Sequence, residues 1–162
     1  MDKRGATKQG LIVLAVIFGA LALYAAVRIL TENDEGRVRK VIYAATLGVE
    51  NEDIARCSSF FSDSYLDTQG YDKAAVLKIL SDIFKSFRDL KVEIKQLKVE
   101  IKELEAEANI GFKCYMKKAA GEQVYYDAGK LKVIFKKEDD RWKARSVEYT
   151  GSDQMLFLNA VA

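Results

Sequence analysis

The sequence of 162 residues contains no histidine. That absence removes the side chain most often used as a general base and as a metal ligand. Cysteine is nearly as scarce: Cys57 and Cys114 form no CxxC pair and cannot make a zinc site by themselves. Both fall on apolar faces of the elements read below, which favours buried free thiols over a reactive thiol or a disulfide. A location outside the cytoplasm would keep the disulfide open. Basic blocks are also missing. The net charge is only +2, and Lys and Glu are interspersed, so nothing marks nucleic acid as a partner. No metal or cofactor is indicated.

What is present near the N-terminus is LIVLAVIFGALALYAAV, Leu11 to Val27, a run without charge that Arg28, Ile29 and Leu30 extend. About 20 helical residues span roughly 30 Å, the thickness of the hydrocarbon layer of a bilayer. Arg28 can snorkel to the headgroups and Tyr24 suits the interface. A cleaved signal peptide competes with this reading, because Lys3, Arg4 and Lys8 precede the run and Ala20-Leu21-Ala22 has the form of a cleavage site. The apolar run continues past that site, which favours an anchor. The division expected is therefore a cytoplasmic tail over 1–10, a transmembrane anchor over 11–30, a folded domain over 31–150 and a C-terminal tail over 151–162. Lys3, Arg4 and Lys8 place the N-terminus inside and the domain outside the cytoplasm, although Arg28, Arg37, Arg39 and Lys40 follow closely on the other side.

Three helices are expected next. Between Asp34 and about Val49, the residues Val38, Val41, Ile42, Ala45 and Val49 recur at helical spacing, with Asn33 or Asp34 as cap. Asn51-Glu52-Asp53 opens a second helix with Ile54, Cys57, Phe60 and Phe61 on one side. After the turn Asp67-Thr68-Gln69-Gly70, Asp72 caps a third helix whose stripe is Val76, Ile79, Leu80, Ile83, Phe84 and Phe87.

The stretch LKVEIKQLKVEIKELE, Leu90 to Glu105, has two readings. As a coiled coil, Val92 and Val99 occupy the most exposed heptad position, and the pattern lasts under three heptads. As strands, every apolar residue is used, so strands are expected. The apolar phase changes from even (Leu90, Val92, Ile94) to odd (Leu97, Val99, Ile101), which calls for a β-bulge at Lys95-Gln96. A single strand from Leu90 to Cys114 would run about 80 Å at 3.3 Å per residue, so a hairpin turn belongs near Lys102-Glu103. Gln123 to Phe135 reads as a further strand kinked at Ala128-Gly129, Lys137 to Arg141 as a turn, and Trp142 to Tyr149 as the last strand. Helices followed by an antiparallel meander make an α+β domain.

The segments FFSDSYLDTQG, DKAAVLKILSDIFKSF, DLKVEIKQLKVEIK and FKKEDDRWKARSVEY resemble the nuclear transport factor 2-like superfamily over residues 34 to 150. The resemblance implies a cystatin-like cone, three helices packed on a curved, bulged antiparallel sheet. Members of this superfamily are isomerases, dehydratases, cyclases, binding proteins and assembly domains, so the fold alone names no activity.

In the steroid isomerases of the fold, the resemblance places the general base on Asp67. It places a late-strand donor on Leu131, which cannot donate, and a first-helix tyrosine near Ala45, with Tyr43 out of phase. Asp67 is thus expected to hold a turn, with an isomerase or lyase-like enzyme as the alternative. Tyr43, Tyr65, Phe84, Phe112, Tyr126 and Trp142 are candidates for lining the cone, either as core or around a small apolar ligand. The superfamily commonly dimerises through its sheet. A cone on a single-pass anchor also resembles inner-membrane assembly proteins of type IV secretion systems, and Ala15-x-x-x-Gly19 can bring anchors together. The reading is a membrane-anchored, non-catalytic domain that binds a partner protein or a small apolar ligand outside the cytoplasm.

Overall fold

The computed structural model describes residues 34–151. The expected anchor, Leu11 to Leu30, lies outside the described residues, as does the tail beyond Gly151. Among the described residues, no helix is long and apolar enough to cross a membrane.

The first helix, α1, occupies residues 34–50. It buries Val38 and Ile42 one turn apart, with Val41 packed beside them, as the apolar spacing requires. Helix α2 (Ile54–Ser59) is capped by Asp53, whose carboxylate accepts the Arg56 amide hydrogen at 2.9 Å. Helix α3 (Lys73–Ser86) is capped in the same way by Asp72, which accepts from Ala75 at 2.8 Å.

Four strands follow: β1 (Phe87–Lys102), β2 (Glu105–Lys118), β3 (Val124–Glu138) and β4 (Arg141–Gly151). They pair antiparallel in chain order as one meander sheet. Phe87, placed on the third helix by its spacing from Ile83 and Phe84, instead begins β1. Its side chain is buried either way, so the helical period runs on past the last helical residue.

The stretch of two readings is a strand. The β1–β2 register slips between Ile94 and Gln96, leaving Lys95 as the extra residue, and both apolar runs then meet the core. A second slip lies between Arg88 and Lys91, where Asp89 has φ 55°. The hairpin turns at Glu103-Leu104, with Glu103 at φ 56°. Asp139 and Asp140 both have positive φ (47° and 60°), the left-handed pair that matches the twist of a two-residue β3–β4 hairpin. The kink expected at Ala128-Gly129 is absent from the β2–β3 register, which runs unbroken there. The third slip falls on β4, where Arg145 is the extra residue.

Two apolar clusters fill the inner face of the sheet. In one, Val38 and Ile42 of α1 meet Ala106, Ala108, Phe135, Trp142 and Ala144; the small alanines let the helix approach the strands closely. In the other, Ile83 of α3 meets Phe87, Leu90, Cys114 and Met116.

Both sheet edges are engaged. Along β4, the Ser62 amide donates to the Ala144 carbonyl at 2.9 Å, Ala144 donates to Phe60 at 2.8 Å, and Leu66 donates to the bulged Arg145 at 3.0 Å. Along β1, the Val92 amide donates to the Glu50 carboxylate at the end of α1, at 3.0 Å.

Candidate functional site

Between α1, α3 and the inner face of the sheet lies a cavity of about 370 Å³. Its walls are aliphatic and aromatic: Val41, Ala45 and Val49 from α1, Leu80, Ile83 and Phe84 from α3, and Leu90, Val92, Ile110, Phe112 and Val133 from the strands. A second lobe of about 350 Å³ shares Ala45, Val49, Leu80, Leu131 and Tyr149 with it and extends toward Tyr65, Asp67 and Tyr71. The two lobes form one cleft, with Tyr149 common to both.

The residues singled out by sequence separate into three groups. Phe84 and Phe112 line the first lobe; Tyr65 and Asp67 line the second. Tyr43 and Tyr126 line neither. Tyr43 is 51 % exposed, because it stands one residue beyond Ile42 and hence about 100° round α1 from the buried stripe. Tyr126 is 46 % exposed on the outer face, where its ring packs on Tyr115 at 5.2 Å, because it has the opposite strand parity to Tyr125 and Asp127. Trp142 belongs to the solid core under α1 and does not line the cleft.

Asp67 organises the turn that follows the short bridge at Leu66. Its Oδ1 accepts the amides of Gln69 at 2.9 Å and Tyr71 at 2.8 Å, and its own amide donates to the Tyr71 carbonyl at 3.0 Å. Burial raises the pKa of the neighbouring Tyr65 hydroxyl, and the Asp67 charge adds to the shift.

Two side chains that the sequence reading passed over carry buried polar atoms without partners: Tyr149, which lines both lobes, and Asp127, which lines neither. Asp127 on β3 is 4 % exposed; its Oδ1 accepts the Ala128 amide at 2.8 Å, while its Oδ2 is buried without a hydrogen-bond partner. The Tyr149 hydroxyl on β4 is likewise buried and unpartnered. Burial pushes the Asp127 carboxyl above its usual range, against the opposing effect of the Ala128 amide. Burial also raises the Tyr149 phenol, with the Asp127 charge as a second cause. Cys114 faces Asp127 across the β2–β3 ladder, and its thiol is pushed up to about 11, by burial first and then by Asp127 and Glu50. One signal was readable: Asp127 shares the parity of Tyr125, Leu131, Val133 and Phe135, so it is a carboxylate on an otherwise apolar face.

Cys57 and Cys114 are both buried and free, not bridged. Burial is the main cause that raises the Cys57 thiol. Among the described residues, no group of three or more Cys, Asp or Glu is placed to share a metal ion.

No family model matches the sequence, and no curated protein sequence matches it. Solved structures do match the fold. A protein from Kribbella flavida superposes with a TM-score of 0.69 at 15% identity, covering 82% of this chain and 99% of its own. A nuclear transport factor 2-like superfamily protein from Salmonella enterica gives 0.65 at 13% identity, over 77% and 95% of the two chains. A hexachlorocyclohexane dehydrochlorinase (LinA) type 2 gives 0.63 at 13% identity, over 77% and 93%. The α+β cone, its curved four-stranded antiparallel sheet and the helices on its inner face are those of the nuclear transport factor 2-like fold.

Proposed function

We propose that this domain is a non-catalytic receptor for a small, mostly apolar ligand, held at a membrane by Leu11 to Leu30 and displayed outside the cytoplasm. The observation that carries the ligand reading is the cleft between α1, α3 and the sheet, whose first lobe of about 370 Å³ is walled by aliphatic and aromatic side chains. That size falls within the range of about 300–1,000 Å³ usual for small-molecule sites. Apolar walls favour burial of an apolar ligand at roughly 25 cal/mol per Å².

A binding role rather than catalysis is supported by the side chains that chemistry would need. Asp67 already spends one oxygen on two backbone amides, and the chain has no histidine to act in its place. The enzyme alternative keeps one observation in its favour, that Asp67 and Tyr149 line the same lobe. A dehydrochlorinase on the same fold is consistent with elimination chemistry in such a cone. On that alternative, Asp67 is the base of an isomerase or lyase, and Asp67→Asn abolishes turnover of the bound ligand. The outer sheet face, with Val124, Tyr115 and Tyr126, suits a second copy of the domain or a component of an envelope or secretion complex.

The test is native mass spectrometry of the full-length protein ejected from lipid nanodiscs. The wild type is expected to carry a small-molecule adduct that Ala45→Phe, a larger side chain at a position lining both lobes, excludes. An adduct-free wild type that gains no thermal stability from a panel of naphthalenes and fatty ketones would overturn the reading.

A further inference from the structure

The outer face of the sheet, opposite the cleft, carries its lysines in ion pairs: Lys98 with Glu100, and Lys102 and Lys132 with Glu107. One part of the face departs from that pattern. Around Gly111 and Ala128 a trough of about 680 Å³ is lined by Lys95, Gln96, Lys113, Lys130 and Thr150, with no carboxylate among its lining residues. The strand register explains the shape. Lys113 pairs with Ala128 and Gly111 with Lys130, so on neighbouring strands each long side chain stands opposite a small one and the floor between them is left open. Lys113 and Lys130 are thus diagonal neighbours, about 7–8 Å apart at the backbone, and Gln96 faces Gly111 from β1.

Lys95 is held by Glu93, a carboxylate whose charge Lys113 also offsets. Lys113 stands over the Tyr126 ring, 5.8 Å from its centre. Among the described residues, neither Lys113 nor Lys130 has an ion-pair partner. The Thr150 hydroxyl donates to the Lys130 carbonyl at 3.5 Å, too long a bond to hold it firmly.

The geometry points to an anion site, and we propose that this trough binds a phosphate monoester carried on a small, flat body. Three ammoniums set against the Glu93 carboxylate leave two positive charges, which a phosphate monoester, at about −1.5 to −2 near pH 7, matches and a carboxylate does not. Lysine fits that role. It meets a phosphate oxygen as a point charge, without the fork that arginine presents to a planar carboxylate. The trough is larger than one phosphate group, so the body of the ester lies on the Gly111–Ala128 floor toward Tyr126, whose ring packs on Tyr115. The sheet separates this site from the cleft, and it stands or falls apart from the ligand reading above. The same group arrives either as a free ester or as a lipid headgroup of the phosphatidic acid type.

The experiment is calorimetric titration of full-length protein in phosphatidylcholine nanodiscs, with empty nanodiscs as blank. Phenyl phosphate is expected to bind saturably, and benzoate, with one charge on the same ring, more weakly. Lys113→Gln and Lys130→Gln are each expected to weaken phenyl phosphate about fivefold, the upper scale for an exposed ion pair. Ala128→Leu, which fills the floor and changes no charge, is expected to abolish binding. Lys132→Gln, two residues along β3 and paired with Glu107, leaves it unchanged. Circular dichroism checks that each variant is folded. Repeating the titration with phosphatidic acid in the nanodiscs separates the two sources: a lipid headgroup that reaches the trough competes with phenyl phosphate, and unchanged affinity assigns the site to a free ester. The site is overturned by the absence of saturable binding, by benzoate bound as tightly as phenyl phosphate, by equal losses in the Lys113, Lys130 and Lys132 variants, or by full affinity in Ala128→Leu.

Discussion

The ring of Tyr149 lies against Gly129 so closely that a Cβ at that position would stand 2.6 Å from Cε2 and 2.8 Å from the hydroxyl oxygen. The glycine is required by this approach alone, since it does not have the positive φ that would demand it on backbone grounds. Gly129→Ala is expected to push the ring out of its place and cost about 2 kcal/mol, as overpacking does. Urea denaturation measures the loss; a change under about 0.5 kcal/mol would mean that the ring swings aside freely and that the cleft is not shaped by it.

Val99 is half-buried and packs against the α1 side of the core, on the face that a helical reading of LKVEIKQLKVEIK would leave in solvent. Val99→Asp is expected to cost about 2–4 kcal/mol, because a carboxyl enters an apolar cluster without a partner. An unchanged thermal midpoint would be incompatible with the strand.

Asp67 provides a contrast between two substitutions. Asn keeps an oxygen able to accept the Gln69 and Tyr71 amides, so Asp67→Asn should change stability by less than about 0.5 kcal/mol, whereas Asp67→Ala should cost about 1 kcal/mol. Equal losses for the two variants would show that charge, not the accepting oxygen, holds the turn.

Asp127 predicts a pH effect of unusual sign for a carboxylate. Its folded pKa is raised, so the folded protein keeps a proton that the unfolded chain, at about 3.9, has released. Its contribution to stability is full below about pH 4, falls as the pH rises toward the folded pKa, and levels off above it. Asp127→Asn cannot titrate. The variant should therefore gain on the wild type between pH 4 and the folded pKa. Denaturation curves at pH 4, 5.5 and 7 measure the gap, and a gap that closes with rising pH would contradict the raised folded pKa.

The anchor reading predicts that full-length protein stays with the membrane pellet through an alkaline carbonate wash. A mature protein beginning at Leu23 and released to the supernatant would instead show cleavage after Ala22.

The element order and the sheet were legible because periodicity carries them. The change of phase between Ile94 and Leu97 points to a bulge at Lys95-Gln96, and the structure has it at Lys95; the need to fold a run of about 80 Å points to a hairpin near Lys102-Glu103, and the turn lies one residue later, at Glu103-Leu104. Phe87 was misplaced because buried residues at helical spacing continue one step beyond Ser86, and spacing does not register where backbone hydrogen bonding changes hands. The site was harder to read. Aromatic type suggested Tyr43 and Tyr126, but helix phase and strand parity turn them outward. Tyr149 takes its place in the cleft through the lean of its ring over a residue with no side chain, and no count along the chain contains that lean.

The hydrogen bonds from residues 60–66 to β4, and from Val92 to Glu50 on β1, bear on how copies of this domain can meet. Unpaired strand edges invite other chains to extend a sheet, the route to fibrils and swapped dimers. Here the Phe60, Ser62 and Leu66 contacts occupy β4 at its bulge, and the bulged, lysine-bearing β1 is a poor template for strand addition. Copies of the domain brought to high local concentration are therefore held back from edge-to-edge fusion, and association between them falls to side chains on the face of the sheet.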